Sequence, residues 1–291
     1  MIRCGKIVAM LKESETIILP VHYSGKVFNS NQKPVLKTYL LETSVPLPLV
    51  LICPGGGYEH LSERESDPVA RKMNSLGFHA AVLSYSLAPM EFPAALCDLA
   101  EAVATIRGRV AEWNVNPDGI VVAGFSAGGH LAASLGCYWG FGLLDDLVPH
   151  SKDEIRPNYM LLCYPVITAD VKHCHEGSIR NALGKNNLDM RDFVSIENHV
   201  EPSFPPTFMW HTLEDEAVPA ENSLLLAMAL RREGVDFEYH LFQKGCHGLS
   251  LATPETAKPD GSCQQKECAV WPELFKAWFD SRVRCPESGR E

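Results

Sequence analysis

The sequence predicts an α/β fold in which a mostly parallel sheet of about eight strands is covered by helices on both faces. Short apolar, β-branched runs alternate along the chain with longer segments whose apolar residues recur at helical spacing, which is the order that builds such a sheet. Of the 291 residues, 46% are hydrophobic, enough to bury a large core, and a chain of this length commonly forms one α/β domain. We therefore expect residues 1–291 to form a single domain.

The strand candidates are apolar or alternating runs that end at turn residues. They lie at residues 17–23, 36–41, 49–53, 78–84, 119–123, 159–163, 207–211 and 237–242. The helix candidates carry apolar residues at helical spacing. They lie at residues 67–76, 94–113, 127–139, 220–233 and 271–283. Because no helix separates the first strands, we expect them to form an antiparallel edge of the sheet.

Two long stretches do not fit this alternation. Residues 140–156 and 164–205 show no regular hydrophobic pattern, and long irregular segments inside a compact domain are more often functional than idle. We predict that both are insertions that form a lid or part of a pocket, the second of them after the sixth strand.

Residues 124–129, Gly-Phe-Ser-Ala-Gly-Gly, lie between an apolar run and an alanine-rich helical segment. A Gly-x-Ser-x-Gly motif in this context is typical of a nucleophile elbow, whose strained turn exposes the serine hydroxyl above the sheet. Glycine suits the turn because a Cβ at Gly124 or Gly128 would meet the neighbouring strand or helix. We predict that Ser126 is a catalytic nucleophile; the alternative is an ordinary strand-to-helix turn.

A serine nucleophile needs an acid and a histidine base, which follow the serine in chain order when an elbow carries it. The loop after residues 207–211 offers three carboxylates. We favour Asp215, because a short side chain in a turn just before a helix can be held rigidly, and expect Glu214 and Glu216 to be solvated or supporting. Asp215 could also be only a turn or cap residue.

The predicted base lies in the loop after residues 237–242. Glycines flank Cys246 and His247 there, as suits a loop that folds back over the edge of the sheet, and His247 is our candidate general base. Cys246 could be read as a nucleophile, but we expect a neutral packing residue. The other histidines are less suitably placed: His22, His60, His79, His130, His150, His173, His175, His199, His211 and His240.

An oxyanion hole requires backbone N–H groups that point at the developing alkoxide. The residue after the nucleophile, Ala127, is one candidate donor. The apolar run at residues 48–53 leads directly into three glycines, where the main chain can approach a substrate oxygen closely, so Gly55 and Gly56 are the others. A phosphate-binding loop is the alternative, but no Gly-Lys-Ser/Thr follows and no G-x-G-x-x-G register is present.

Four motifs now stand in a fixed order. They are Cys-Pro-Gly-Gly-Gly-Tyr at 53–58, Gly-Phe-Ser-Ala-Gly-Gly-His at 124–130, Asp-x-x-Val-Pro at 215–219 and Lys-Gly-x-His-Gly at 244–248. Together they resemble bacterial α/β-hydrolase esterases of the acetyl-xylan esterase and feruloyl-esterase-like group, a resemblance that spans nearly the whole chain. It implies the α/β-hydrolase fold, a serine esterase activity and no cofactor or metal. Pro54 stands where hormone-sensitive-lipase-like esterases usually carry histidine, which favours the carbohydrate-esterase side.

Three further residues are candidates for contact with substrate. Tyr58 ends the glycine motif, Arg64 lies just beyond it in a charged segment, and Tyr164 opens the second insertion together with Pro165. We predict that Tyr58, Arg64 and Tyr164 contact the substrate, with Phe193 as a further candidate for the acyl site. A solvated surface turn around Arg64 and simple packing of the insertion are the alternatives.

The formal net charge of −10 argues against nucleic acid or an anionic membrane as a partner, because both attract basic patches. Residues 1–12 lack the uninterrupted apolar region of a signal peptide, so we expect a cytoplasmic protein, in which cysteines such as Cys53 and Cys163 are reduced core residues. A zinc site from His173, His175, Cys263 and Cys268 is not favoured by their spacing. The sequence leaves the oligomeric state open.

The predicted function is hydrolysis of short-chain acyl esters by a Ser-His-Asp triad, with an acetylated carbohydrate such as a xylan-derived oligosaccharide as substrate. A general small-molecule carboxylesterase or lipase is the main alternative. A serine peptidase, or a hydrolase-fold module without catalytic activity, is less favoured, because peptidases of this catalytic fold generally carry a further large domain and because all three triad side chains are present.

Overall fold

The computed structural model describes residues 10–21, 33–185 and 187–283. At the centre of this part of the chain lies an eight-stranded sheet with the strand order β1-β2-β4-β3-β5-β6-β7-β8. The strands are β1 (Thr16–Ile18), β2 (Val35–Tyr39), β3 (Leu47–Cys53), β4 (His79–Ser84), β5 (Val115–Phe125), β6 (Tyr159–Cys163), β7 (Thr207–Thr212) and β8 (Phe237–Phe242). Strand β2 pairs antiparallel with β1 and β4, and the remaining neighbours pair in parallel. The predicted mostly parallel sheet with an antiparallel edge is confirmed.

Helices cover both faces of the sheet. They are α1 (Asp67–Ser75), α2 (Ala94–Gly108), α3 (Val110–Trp113), α4 (Ala127–Tyr138), α5 (Lys152–Ile155), α6 (Glu176–Leu183), α7 (Glu221–Arg232) and α8 (Trp271–Val283). Short 3₁₀ helices lie at Glu63–Glu65, Leu188–Val194, Ile196–Asn198 and Pro254–Thr256. Buried residues of α2, α4 and α7 pack in one core cluster and those of α1 and α8 in another. Within the described ranges, no helix has the length and apolar character needed to cross a membrane.

Strand β3 illustrates why the sheet has two cores. Leu49 and Leu51 belong to one cluster and Val50 and Ile52 to the other, because successive side chains of a strand point to opposite faces. All four are fully buried, as expected for a parallel strand with helices on both sides.

Three elements differ from the sequence predictions. The first strand covers only Thr16–Ile18, and positions 22 and 23 of the predicted run lie outside the described residues. The predicted helix 94–113 is interrupted at Arg109, directly after Gly108, a residue type that weakens helices. The insertion at 164–205 is not irregular throughout, because it contains α6. The N-cap of α6 is His175, a residue type outside the usual capping set. The sequence therefore carries no recognisable start signal for this helix.

The loops that carry the predicted site residues leave the sheet at one edge. The carboxyl ends of β3, β5, β7 and β8 lead into the three glycines, Ser126, Asp215 and His247, respectively. Ligand sites of open α/β sheets form at this edge, because the ends of parallel strands meet there.

Candidate active site

Ser126 lies in the turn between β5 and α4, here named the serine turn (residues 124–129). Its backbone has φ 53° and ψ −119°, a conformation that L-residues rarely adopt and that the surroundings must enforce. The Ser126 amide donates to the Cys163 carbonyl at 3.1 Å, and its own carbonyl accepts from the amides of Val166 at 3.0 Å and His130 at 3.1 Å. The end of β6 and the start of α4 therefore hold the strained turn in place.

Two glycines of the serine turn are required by packing. A Cβ at Gly124 would overlap the carbonyl oxygen of Gly128, and a Cβ at Gly128 would overlap the carbonyl oxygen of Cys53 at the end of β3. Close approach of two backbones at these positions is the reason for glycine that the sequence motif predicts.

Ser126, His247 and Asp215 form one hydrogen-bonded chain. Ser126 Oγ lies 2.7 Å from His247 Nε2, and His247 Nδ1 lies 2.6 Å from Asp215 Oδ2. Because the Asp215 carboxylate only accepts, Nδ1 carries a proton and Nε2 is free to accept from the serine hydroxyl. The Asp215 side chain is fully buried, whereas 22% of the His247 side chain is exposed. The arrangement can deprotonate a serine hydroxyl at a partly open site.

Asp215 is held by three groups besides His247. Its Oδ1 accepts from the amides of Ala217 at 3.1 Å and Val218 at 2.9 Å, and Oδ2 lies 3.3 Å from Nε2 of the buried His211. Burial alone would raise the pKa of Asp215, but the hydrogen bonds from His211 and His247 outweigh it and lower the pKa well below its usual value. The carboxylate is therefore ionised at neutral pH. The neighbouring residues Glu214 and Glu216 are exposed, as expected.

His247 lies in the histidine loop (residues 243–250), which follows β8. Gly245 and Gly248 have φ of 140° and 75°, so the loop turns back at both glycines. The Cys246 thiol points to the Cys263 thiol, with 2.8 Å between the sulfur atoms. Partial burial of the thiol and the Cys263 side chain raise the pKa of Cys246 to about 11, so Cys246 is a neutral thiol. Because Cys246 is exposed, it is not the packing residue that the sequence predicts.

The glycine loop (residues 54–58) lies against the serine turn, and its geometry corrects one prediction. The Gly55 amide donates to Glu65 Oε2 at 2.8 Å, so it is not available to an oxyanion. Gly56 has φ 129°, and a Cβ there would overlap the His60 carbonyl oxygen. Within the described part of the chain, the amides of Gly56 and Ala127 have no hydrogen-bond partner. These two predicted donors remain candidates, whereas Gly55 does not.

Tyr164 was predicted to contact substrate, but its hydroxyl has two other partners. It donates to Glu65 Oε1 at 2.7 Å and accepts from the Ser250 amide at 2.8 Å. Burial and the Glu65 carboxylate raise the pKa of Tyr164 well above its usual value, so the hydroxyl stays protonated. The ring packs edge-on against the His247 ring, with 5.2 Å between centroids. Tyr164 therefore packs against His247 and binds Glu65 and Ser250, and its hydroxyl is not available to a ligand.

The hydroxyl of Tyr58 is also engaged within the protein. It bonds Nδ1 of His130 at 2.8 Å, and Nε2 of His130 bonds the Val194 carbonyl at 2.8 Å. Burial lowers the pKa of His130 to about 4, so His130 is neutral, accepts from Tyr58 and donates to Val194. This chain of contacts joins the glycine loop, helix α4 and the insertion at 164–205.

Arg64, Pro165 and Phe193 also have structural contacts. Arg64 Nε donates to the Thr256 carbonyl at 2.6 Å. Pro165 packs against the serine turn, where a Cβ at Gly129 would lie 2.6 Å from its Cβ. Phe193 stacks on Tyr138 at the far end of α4, with 5.2 Å between ring centroids. The predictions that Arg64 and Phe193 contact substrate therefore find no support in the geometry.

The insertion at 164–205 covers the glycine loop and approaches the histidine loop. Asn181 Nδ2 donates to the Gly57 carbonyl at 2.9 Å. His175 accepts from the Ser178 amide at 3.2 Å through Nδ1, and burial together with the nearby His247 lowers its pKa. The sequence predicts no catalytic role for His175, since a histidine in an unpatterned segment gives no signal of its position.

The described residues contain no group of three or more His, Cys, Asp or Glu side chains placed to hold a metal ion.

Comparison with known proteins fits this geometry. The sequence model of the BD-FAE family matches residues 37–230, a range that includes the glycine loop, the serine turn and Asp215. The chain belongs to the BD-FAE family. The matched range ends before β8 and the loop that carries His247.

Several proteins that are similar to this BD-FAE member are named as enzymes of esters or of xylan. Endo-1,4-beta-xylanase B of Butyrivibrio fibrisolvens is 37% identical over 76% of this chain, and acetylxylan esterase of Xylanibacter ruminicola is 29% identical over 69%. The chain spans only 35% and 40% of the length of these two proteins. The crystal structure of an acetyl ester-xyloside bifunctional hydrolase from Caldicellulosiruptor lactoaceticus is 37% identical, covers 91% of this chain and 96% of its own, and has a TM-score of 0.78. The predicted α/β-hydrolase fold, the predicted resemblance and the predicted class of carboxylic ester hydrolase are confirmed.

Proposed function

We propose that this BD-FAE member is a serine esterase that hydrolyses short-chain acyl esters, with Ser126 as nucleophile, His247 as general base and Asp215 as the acid that orients the histidine. The observation that carries the proposal is the unbroken chain of hydrogen bonds from Ser126 Oγ through His247 to Asp215. The buried, ionised Asp215 and the strained backbone of Ser126 support it, since both are held by several backbone contacts.

In the proposed mechanism, His247 Nε2 takes the Ser126 hydroxyl proton while Oγ attacks the ester carbonyl carbon. The amides of Ala127 and Gly56 stabilise the oxyanion of the tetrahedral intermediate. When the intermediate collapses, His247 returns the proton to the leaving alcohol, and an acyl-enzyme remains. His247 then takes a proton from water as the water oxygen attacks the acyl carbon, and it returns that proton to Ser126 Oγ when the bond to Oγ breaks and the acid leaves. Asp215 keeps the proton of the neutral imidazole on Nδ1 and stabilises the imidazolium.

The proposed substrate is an acetylated carbohydrate such as a xylan-derived oligosaccharide. Two similar proteins are named as an acetylxylan esterase and as an acetyl ester-xyloside hydrolase, and a neutral sugar ester is compatible with a chain of net charge −10. A general small-molecule carboxylesterase would use the same three side chains, so only substrate turnover separates these two functions.

The test is acetate release from acetylated xylo-oligosaccharides, measured beside hydrolysis of p-nitrophenyl acetate. We expect the wild-type protein and the control Ser75→Ala, which alters an exposed serine, to act on both substrates. Ser126→Ala should lower turnover of both by several orders of magnitude. Turnover of the synthetic ester alone would reject the sugar-ester substrate, and activity that survives in Ser126→Ala would reject the mechanism.

A further inference from the structure

Glu65 is a buried carboxylate at the end of the 3₁₀ helix Glu63–Glu65, and only 3% of its surface is exposed. Its two oxygens accept from two different parts of the site: Oε2 from the Gly55 amide at 2.8 Å and Oε1 from the Tyr164 hydroxyl at 2.7 Å. We propose that Glu65 is a positioning residue for ester hydrolysis, which fixes the glycine loop and the histidine loop relative to Ser126. This inference rests on the proposed function.

Both oxygens of the Glu65 carboxyl group act as hydrogen-bond acceptors. The Gly55 amide can only donate. The Tyr164 hydroxyl has one proton and already accepts from the Ser250 amide at 2.8 Å, so its proton is directed at Glu65. The two oxygens of Glu65 therefore bind two donors from two different parts of the site.

On one side, Glu65 determines how the glycine loop meets the serine turn. The Cα of Gly55 lies so close that a Cβ there would be 2.9 Å from Ser126 Cβ and 2.7 Å from Glu65 Oε2. Because the Gly55 amide is held by Glu65, the next amide in the loop, that of Gly56, is the one left for an oxyanion. A shift of Glu65 is thus transmitted directly to the candidate oxyanion hole.

On the other side, Glu65 reaches the histidine loop through Tyr164. The Tyr164 hydroxyl binds the Ser250 amide, three residues beyond His247, and the Tyr164 ring packs edge-on against the His247 ring. A second contact closes this connection, since Ser250 Oγ donates to the carbonyl of Arg64, the residue next to Glu65, at 2.5 Å. One carboxylate therefore joins the loops that carry the proposed base and the proposed oxyanion donor.

This geometry predicts a defect in turnover and not in binding. Oxyanion donors and the base act on the transition state, where misplacement of a fraction of an ångström lowers the rate. A glutamine at position 65 has one acceptor oxygen and one NH₂ donor, so it cannot accept from both Gly55 and Tyr164. We expect Glu65→Gln to lower kcat for p-nitrophenyl acetate about 10- to 100-fold, with KM within about threefold of the wild-type value.

The experiment compares Glu65→Gln with Glu63→Gln, which removes an exposed carboxylate from the same 3₁₀ turn. Active serine is counted by titration with a fluorophosphonate, and kcat is expressed per titrated serine. A structural role alone would reduce the number of titratable serines and leave the turnover of each unchanged, and that result would overturn the inference. The expected result is a lower kcat per serine in Glu65→Gln and a wild-type value in Glu63→Gln.

Tyr164→Phe provides an independent variant if Glu65→Gln does not fold. It retains the ring contact with His247 but removes the hydroxyl that joins Glu65 to Ser250, and we expect kcat per serine to fall about 3- to 10-fold. An unchanged kcat would overturn the inference. Loss of activity in Ser126→Ala together with normal turnover in the Glu65 and Tyr164 variants would reject only the role of Glu65, whereas an active Ser126→Ala would reject the proposed function as well.

Discussion

The serine turn and the glycine loop are alike in composition but are held in different ways. Each is a glycine-rich turn at the carboxyl end of a parallel strand, β5 in one case and β3 in the other, and these strands are neighbours. The serine turn is fixed by backbone contacts: Ser126 bonds the main chain of Cys163 and Val166. The glycine loop also has backbone contacts, such as those of the Ser62 and Ala88 amides, but it depends in addition on side chains from other elements, namely Glu65 at the Gly55 amide and His130 at the Tyr58 hydroxyl.

The difference shows which part of a catalytic site depends on neighbouring residues in the sequence and which part depends on distant ones. A turn held by main-chain contacts depends mainly on glycine at a few spacings between a strand and a helix. A loop held by buried side chains depends on specific residues that are distant in sequence. Substitutions of the two supports should therefore have different consequences.

The largest expected effect comes from Asp215→Asn, which leaves both glycine-rich turns unchanged. An asparagine would favour the wrong tautomer of His247, so the base could not accept the Ser126 proton. We expect kcat for p-nitrophenyl acetate to fall by about three to four orders of magnitude. Glu214→Gln, a change at the exposed neighbouring carboxylate, should retain wild-type kcat, and the opposite ranking of these two variants would show that Glu214 is the acid.

Chain order made the main residues of the site predictable. Ser126, Asp215 and His247 each follow a recognisable strand, and the ends of parallel strands meet at one edge of the sheet, so the sequence could anticipate that these side chains lie together. The role of Gly55 could not be judged in this way. The segment Glu63-Arg64-Glu65 looks like a charged surface turn, and only the packed fold turns Glu65 inward to the Gly55 amide.

The partners of His130 and Tyr164 could not be predicted from the sequence. His130 lies in a helix in which every residue is buried, where a histidine must have partners for both nitrogens. That requirement is a usable signal, but the identity of the partners, Tyr58 and the Val194 carbonyl, depends on how the insertion packs on α4. Local pattern carries no information about such contacts, because they join segments more than 60 residues apart.

A pair of alanine substitutions compares the two turns directly. A Cβ at Gly128 in the serine turn would overlap the backbone of Cys53, so Gly128→Ala should lower the free energy of unfolding by about 3 kcal/mol or more. In the glycine loop, the nearest atom to a Cβ at Gly57 is Ser178 Oγ at 3.8 Å. Gly57→Ala should therefore lower the free energy of unfolding only by the backbone strain of an alanine at φ 66°, which is about 1 kcal/mol.

Urea unfolding at pH 7 measures both variants against the wild-type protein. We expect the glycine loop to tolerate a Cβ at Gly57, because no side-chain support is attached there, and the serine turn not to tolerate one at Gly128. An equal loss of stability in the two variants would contradict this difference. We expect the free energy of unfolding to be lowest for Gly128→Ala, intermediate for Gly57→Ala and highest for the wild-type protein.

The last effect concerns pH and the His130 support of the glycine loop. His130 has a pKa of about 4 in the folded protein and an ordinary value of 6.5 when unfolded. Between these two values the unfolded chain binds more protons, so this contribution to stability is complete above pH 6.5 and is lost as the pH falls toward 4. From pH 7 to pH 4.5 the loss is about 2 kcal/mol.

In His130→Gln, which does not titrate, the free energy of unfolding should decrease by that much less over the same interval. Urea unfolding at the two pH values gives the difference, which isolates His130 because the other histidines titrate in both proteins. Equal slopes would mean that burial does not hold His130 in its neutral form, the form that accepts from the Tyr58 hydroxyl and supports the glycine loop.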